Sequence, residues 1–116
     1  MSHPWQHALS SARRFGGVPE DYVALHEWFD ASKEHLADLR HRALRHHSQG
    51  IFEAQRAFGE TLLRSDGERV PTRLVAEQHV LEDLGWIPSL ADWFRQIQTT
   101  PWMRRGAPLA LVEVPR

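Results

Sequence analysis

Helix start and stop signals recur along this chain and divide it into short amphipathic stretches. Pro4 falls in the first turn of a predicted helix that ends at Gly16-Gly17, and Pro19 opens the next helix. Three large apolar residues and one histidine then follow at the i, i+3, i+4, i+7 spacing of one helical face: Tyr22, Leu25, His26 and Phe29. A chain punctuated in this way is predicted to fold as a set of packed helices.

The longest predicted helix runs from about Lys33 to Phe58. At about 100° per residue, one face of it is largely apolar and holds Leu36, Leu39, Ala43, His47, Gly50, Ile51, Ala54 and Phe58. Glycine in a helix interior costs about 1 kcal/mol relative to alanine. We therefore expect one helix that is bent or broken near Gly50.

The middle of the chain predicts a short β-hairpin near residues 61–70, because Asp66-Gly67 suits a type I′ turn. A further helix is expected from about Thr72 to Leu84, where Gly85 ends it. Ser89 and Asp92 form a capping-box pattern that opens a last helix, whose predicted buried stripe is Leu90, Trp93, Phe94 and Ile97. The prediction is an all-α fold of about five helices in a compact bundle with one hairpin.

Length and composition suit one small domain. The chain has 116 residues, a length close to the commonest domain size. Of these residues 41% are hydrophobic. We predict a single helical domain over residues 1–103 and a C-terminal tail over 104–116. The tail is expected to be extended or docked on a partner, and residues 109–114 within it could form a strand.

Several classes of function are disfavoured by composition. The absence of cysteine excludes disulfides, thiolate metal sites and thiol nucleophiles. A net charge of −1 gives no electrostatic footprint for nucleic acid, so nucleic-acid binding is not expected. No apolar run approaches the roughly 20 residues of a membrane span, and no signal-peptide pattern opens the chain. We expect a cytoplasmic protein without membrane contact.

Two histidine-dense stretches, residues 40–47 and 77–83, carry the chemistry of the sequence. Histidine is the commonest metal ligand and titrates near neutral pH. His79 precedes Glu82 and Asp83 by three and four residues, so these side chains share one helical face. We predict His79, His46 and Asp83 as the first candidates for metal ligands, with His41 and His26 next.

Helical geometry limits which histidines can act together. On a straight helix His41 lies about 140° from His46, so these two cannot easily bind the same ion. Either His46 or His47 is expected to join His79, but not both. His26 lies four residues before Asp30, and a carboxylate that orients a histidine is common beside a metal. A buried histidine that is hydrogen-bonded to its neighbour is the alternative for His26.

The N-terminal histidines, His3 and His7, are also four residues apart. They could bind a metal at the surface, and we do not expect them to take part in the site.

Two functions fit these residues. The first is a divalent metal site for zinc, iron or manganese; if water completes the coordination shell, hydrolysis becomes possible, with Glu82 as the candidate catalytic base. The second is a non-enzymatic helical interaction module, in which histidines, arginines and carboxylates form a buried hydrogen-bond and ion-pair network. The two functions differ in how the side chains are arranged. A metal site brings three or more ligand atoms around one point, whereas a network spreads out in pairs.

Self-association is a further expectation. Five tryptophans in a small domain, together with the apolar part of the tail, predict a homo-oligomer. The sequence identifies no other protein partner.

A longer pattern runs through most of the chain. Its segments are His3-Pro4-Trp5, Pro19-Glu20-Asp21-Tyr22, Trp28-Phe29-Asp30-Ala31-Ser32-Lys33, Arg40-His41-Arg42, His46, Gly50-Ile51-Phe52, Ser65-Asp66-Gly67, Glu77-Gln78-His79, Glu82-Asp83-Leu84-Gly85, Pro88, Asp92-Trp93 and Pro101-Trp102-Met103. In this order the segments resemble a family of small bacterial and phage-borne proteins known only as a domain of unknown function.

The resemblance implies which residues are shared, but no activity. It places Asp30, Lys33, His41 and His46 in the common pattern, along with Arg40, Arg42 and the segment from Glu77 to Asp83. His46 is more characteristic of the family than His47, whereas helical periodicity buries His47 more deeply. Both therefore stay open as ligands. The tail after Met103 lies outside the resemblance.

Overall fold

The computed structural model describes residues 3–106. Its α-helices are α1 (Pro4–Phe15), α2 (Val23–Asp30), α3 (Ser48–Phe58), α4 (Thr72–Leu84) and α5 (Leu90–Phe94). Two strands, β1 (Thr61–Leu63) and β2 (Arg69–Pro71), form an antiparallel hairpin between α3 and α4. Short 3₁₀ segments cover Pro19–Asp21, Ala31–Glu34, Leu39–Leu44 and Pro101–Arg104. The predicted all-α fold with one short hairpin is confirmed.

The core forms where α1, α2 and α4 pack together, with α3 against α4. The stripe predicted on the second helix is confirmed, because all four of its residues are buried: Tyr22, Leu25, His26 and Phe29. Apolar residues of the other elements pack with this stripe, among them Val75 and Val80 of α4 and Ala54 of α3. Several histidines are buried among these residues, which gives the core a polar centre.

The predicted long helix over residues 33–58 is wrong. The chain forms 3₁₀ turns over Ala31–Glu34 and Leu39–Leu44, and a regular α-helix begins only at Ser48. Local side-chain bonds compete with the helix, because Asp38 accepts from the backbone N–H of Arg40 and His47 accepts from that of Gly50. The predicted break near Gly50 therefore lies a few residues earlier, at the extended backbone of His47.

The hairpin has the predicted place but a different turn. Leu62 pairs with Val70, and Leu63 with Arg69. Arg64 pairs with Glu68 through its backbone N–H at 2.8 Å, which leaves a three-residue loop over 65–67. Among the described residues only glycines have positive φ, so Asp66 cannot occupy a type I′ position. Gly67, with φ of 89°, instead closes the loop.

The last two helices begin and end largely as predicted. α4 ends at Gly85, which adopts the left-handed conformation. The Ser89–Asp92 capping box opens α5, with both of its hydrogen bonds present. The predicted buried stripe is wrong for Phe94 and Ile97, which are 56% and 50% exposed. α5 ends at Phe94, so Ile97 has left the helix before it can share its face.

Two predictions remain, one on the C-terminal tail and one on membrane-spanning helices. The possible strand over 109–114 lies outside the described residues. Among residues 3–106, no helix combines the length and apolar character needed to cross a lipid bilayer.

Candidate metal centre

Four side chains from three separate segments converge inside the helical core. Asp30 is the last residue of α2, His46 lies just before α3, and His79 and Asp83 lie one turn apart on α4. One nitrogen or oxygen atom of each lies within 4.8 Å of those of the other three. We call this group of four residues the buried cluster.

The buried cluster is closed to solvent. The side chains of Asp30 and Asp83 expose 6% and 2% of their surface, and the imidazoles of His46 and His79 expose 0%. Phe29 stacks on His79, with ring centroids 4.7 Å apart. Two carboxylates are therefore shielded from water, where an unbalanced negative charge is costly.

Five of the six separations between the donor atoms of the buried cluster are short and similar. The Nε2 atoms of His46 and His79 lie 3.2 Å apart, and Oδ2 of Asp83 lies 3.0 and 3.2 Å from them. Oδ1 of Asp30 lies 3.6 Å from each of the same nitrogens. Bonds of about 2.0–2.1 Å from zinc to nitrogen and oxygen place the corners of a tetrahedron about 3.3 Å apart. The measured separations bracket this edge length.

Asp30 lacks the hydrogen bonds that a buried carboxylate requires. Neither of its oxygens has a hydrogen-bond partner among the described residues. The ammonium group of Lys33 lies 3.9 Å from Oδ2, too far for a hydrogen bond. Asp30 therefore has one ion-pair partner near Oδ2 but no donor on either oxygen, and buried carboxylates are usually hydrogen-bonded or bound to a metal.

The charge states of the cluster favour cation binding. Burial alone would raise the pKa of Asp83, but the adjacent imidazoles of His46, His7 and His79 outweigh it and hold the pKa well below its ordinary value. The pKa of Asp30 is also lowered, since the opposing effect of His79 and Lys33 exceeds that of burial. Burial lowers the pKa of His46, which favours the neutral imidazole. Ionised carboxylates and neutral imidazoles are the forms that bind metals.

A layer of polar side chains surrounds the buried cluster. Oδ1 of Asp83 lies 3.2 Å from Nε2 of His7 and 3.6 Å from Nη2 of Arg42. Nδ1 of His79 lies 2.9 Å from Nδ1 of His26, whose Nε2 lies 2.8 Å from the hydroxyl of Ser11. Burial lowers the pKa of His26 to about 2, so this ring is neutral. Partners of this kind orient metal-binding side chains.

His7 links the buried cluster to a surface groove. Its Nδ1 donates to Glu82 at 2.7 Å, while its Nε2 donates to Asp83. Burial lowers the pKa of His7, but the two carboxylates outweigh it and raise the pKa. A cavity of about 490 Å³ is lined by Gln6, His7, Leu9, Ser10, Arg13 and Glu82. At the edge of this cavity, the hydroxyl of Ser10 donates a hydrogen bond to Glu82 at 2.5 Å.

The structure brings together three of the predicted ligand candidates, His79, His46 and Asp83. His26 is buried beside His79 but is not one of the four, and His41 is hydrogen-bonded to Ser32 at 2.9 Å. The ring centroids of His41 and His46 are 5.7 Å apart.

Glu82, the predicted catalytic base, lies on the far side of His7 from Asp83. His47 points away from the cluster and caps α3.

Sequence reasoning missed Asp30 and His7. Spacing predicts Asp30 only as a partner of His26, although the family pattern includes it. His7 is predicted at most as a surface ligand near the terminus, but it contacts Asp83 across 76 positions of sequence. No local pattern predicts a contact over that distance.

Comparisons with known proteins identify a family of unknown function. No curated protein and no solved structure matches the chain. The family model described as a domain of unknown function, DUF6915, matches residues 2–103. Since this match covers most of the chain, the protein belongs to the DUF6915 family.

Proposed function

We propose that this protein binds one divalent transition-metal ion, with zinc as the preferred ion, through Asp30, His46, His79 and Asp83. The observation that carries the proposal is the set of five 3.0–3.6 Å separations that join the two imidazoles to each other and to the two carboxylates. Two imidazoles and two carboxylates form a donor set that suits zinc, with ferrous iron and manganese as the alternatives.

A hydrogen-bond and ion-pair network without metal is the competing explanation. In such a network protonated imidazoles would replace the ion and donate to the carboxylates. The Asp83 separations of 3.0 and 3.2 Å suit such bonds, but the 3.6 Å separations at Asp30 do not. A metal ion at the centre satisfies both carboxylates, so the position of Asp30 favours the metal.

The arrangement favours a structural role for the ion over the hydrolytic one. Four protein donors fill a tetrahedral shell, whereas catalytic zinc keeps one position for water. Glu82 contacts His7 rather than a cluster residue. The proposed ion therefore joins the end of α2, the segment before α3 and α4, and stabilises their packing.

The metal content of purified full-length, untagged protein tests the proposal. After dialysis against zinc and then metal-free buffer, we expect close to one zinc per chain by elemental analysis. X-ray absorption should show four nitrogen or oxygen neighbours at about 2.0 Å. Asp30→Asn should weaken zinc binding by more than about 100-fold. Asp38→Asn is the matched control, because Asp38 pairs with Arg40 at the surface, and it should bind zinc like the wild type.

Thermal unfolding separates the two explanations. With free zinc at 100 times its Kd, binding should add about 2.7 kcal/mol to the free energy of unfolding. A folded protein that retains no zinc, and whose Tm is unchanged by zinc, iron or manganese, would support the metal-free network and rule out the proposal.

We also propose that two copies of the chain associate through the C-terminal arm, residues 94–106. Phe94, Ile97, Trp102 and Met103 are all exposed there, Trp102 to 73%. The arm also carries three arginines and no acidic residue. On α3, exposed Phe52 lies next to the acidic Glu53. A second copy thus offers both apolar and acidic side chains to the arm.

A further inference from the structure

His26 is a fully buried histidine outside the four proposed ligands, and both of its ring nitrogens are engaged. Nδ1 lies 2.9 Å from Nδ1 of His79, and Nε2 lies 2.8 Å from the hydroxyl of Ser11. A neutral imidazole has one N–H and one lone pair. The direction of these two bonds therefore decides which nitrogen of His79 is free to bind a metal.

Gln78 fixes the direction of the chain at its far end. Its amide nitrogen lies 3.0 Å from the backbone carbonyl of His7 and 3.0 Å from Oε1 of Glu82. Both partners are acceptors, so the amide cannot be rotated to exchange its nitrogen and oxygen. The amide oxygen of Gln78 must then be the atom that faces Ser11, at 2.6 Å.

Ser11 passes this direction on to His26. Its single hydroxyl proton faces two acceptors, the amide oxygen of Gln78 at 2.6 Å and the carbonyl of His7 at 3.0 Å. With its proton used on either one, the hydroxyl oxygen accepts from Nε2–H of His26. Among the described residues no carboxylate pairs with the buried His26 ring, so a charged ring would lack a counter-ion and the ring stays neutral. Its Nδ1 then carries the lone pair and accepts a hydrogen bond from the Nδ1–H of His79.

We infer that His26 is a positioning residue that holds the proton of the His79 ring on Nδ1 and leaves the lone pair on Nε2, facing the other cluster donors. The role of this lone pair in metal binding rests on the proposed function. That lone pair faces Oδ2 of Asp83 at 3.2 Å and Oδ1 of Asp30 at 3.6 Å. The tautomer needed for binding is thus set by residues that do not touch the ion, and Gln78 and Ser11 support it through His26.

Two variants of His26 test the inference. His26→Asn keeps an acceptor oxygen near the position of Nδ1, whereas His26→Phe keeps the ring shape without an acceptor. We expect His26→Phe to weaken zinc binding by about 10–100-fold, and His26→Asn to stay within about 3-fold of the wild type, since it keeps the bond from His79. Equal zinc affinities of the two folded variants would overturn the inference.

The tautomer itself is measured without metal. Nitrogen-15 NMR of the imidazoles in metal-free wild-type protein, at a pH above the ordinary pKa of histidine, should show His79 protonated at Nδ1 and not at Nε2. A proton on Nε2 would overturn the inference. If zinc does not bind at all, the proposed function fails while the tautomer still decides this inference. If His26→Phe does not fold, the wild-type and His26→Asn spectra decide it.

Discussion

His46 and His47 are neighbours in the sequence with different partners. Nε2 of His46 lies 3.0 Å from Asp83, within the buried cluster. Nδ1 of His47 accepts from the backbone N–H of Gly50 at 2.9 Å, and its Nε2 faces the carbonyls of Ala43 and Leu44. The extended backbone at His47 turns the two side chains to opposite sides of the chain. One is a candidate ligand and the other is a helix cap.

Alanine substitution at these two positions separates the roles. His46→Ala should abolish stoichiometric zinc binding because it removes a proposed ligand. His47→Ala should keep one zinc per chain and lose about 1 kcal/mol of stability, as expected for a lost N-cap. Elemental analysis and urea unfolding of both variants give the two readouts. Zinc retained by His46→Ala at wild-type affinity would exclude His46 from the site.

At the residue scale, local spacing predicts only part of the site. His79 and Asp83 are four residues apart on one helix, so their proximity follows from the sequence. His46 is one of the predicted ligands, but helical periodicity favours His47 because it assumes a long helix that the chain does not form. Asp30 joins the cluster through the packing of α2 on α4, which no local pattern encodes.

The segment between α2 and α3 is the element that the sequence predicts least well. Its apolar spacing fits a helix, yet Asp38 and His47 bond to the backbone and favour 3₁₀ and extended conformations instead. The helices with clear end signals were predicted well: Gly85 ends α4, and the Ser89–Asp92 capping box opens α5. Helix end signals act locally, so the sequence predicts them. Whether a segment forms a helix or side-chain bonds to its own backbone also depends on tertiary packing.

Gly50 allows this segment to fold back on the first turn of α3. A Cβ at Gly50 would overlap the carbonyl oxygen of Arg45. Gly50→Ala should therefore destabilise the protein by about 1–3 kcal/mol, although alanine favours an ordinary helix by about 1 kcal/mol.

Urea unfolding measures the effect of Gly50→Ala, with Gln49→Ala as the control. Gln49 is exposed on the same turn and bonds only to Glu53, so its loss should stay within about 0.5 kcal/mol. Because His46 lies between Arg45 and Gly50, Gly50→Ala should also weaken zinc binding. A Gly50→Ala variant as stable as the wild type would show that the chain does not pass this close to α3.

At the scale of the whole molecule, the described residues form an elongated body of 58 × 26 × 23 Å. The prediction of a compact bundle holds for α1 to α4, but the C-terminal arm leaves its apolar side chains in solvent. Trp93 links α5 to the segment before α3 through a 2.9 Å hydrogen bond to the carbonyl of His46. Within the described residues nothing covers Phe94 and Ile97, the part of the predicted stripe that the structure leaves exposed.

The mass of the protein in solution tests whether a second copy supplies that surface. Light scattering after size exclusion should give a dimer for the wild type. The double variant Phe94→Ser, Trp102→Ser should give a monomer with unchanged helical content, because neither side chain contributes to the core. Leu63→Ser removes an equally exposed apolar side chain, at 58%, from the hairpin, and should remain a dimer. A wild-type monomer at high concentration would refute association through the arm. A dimer that survives the double variant would place the interface elsewhere.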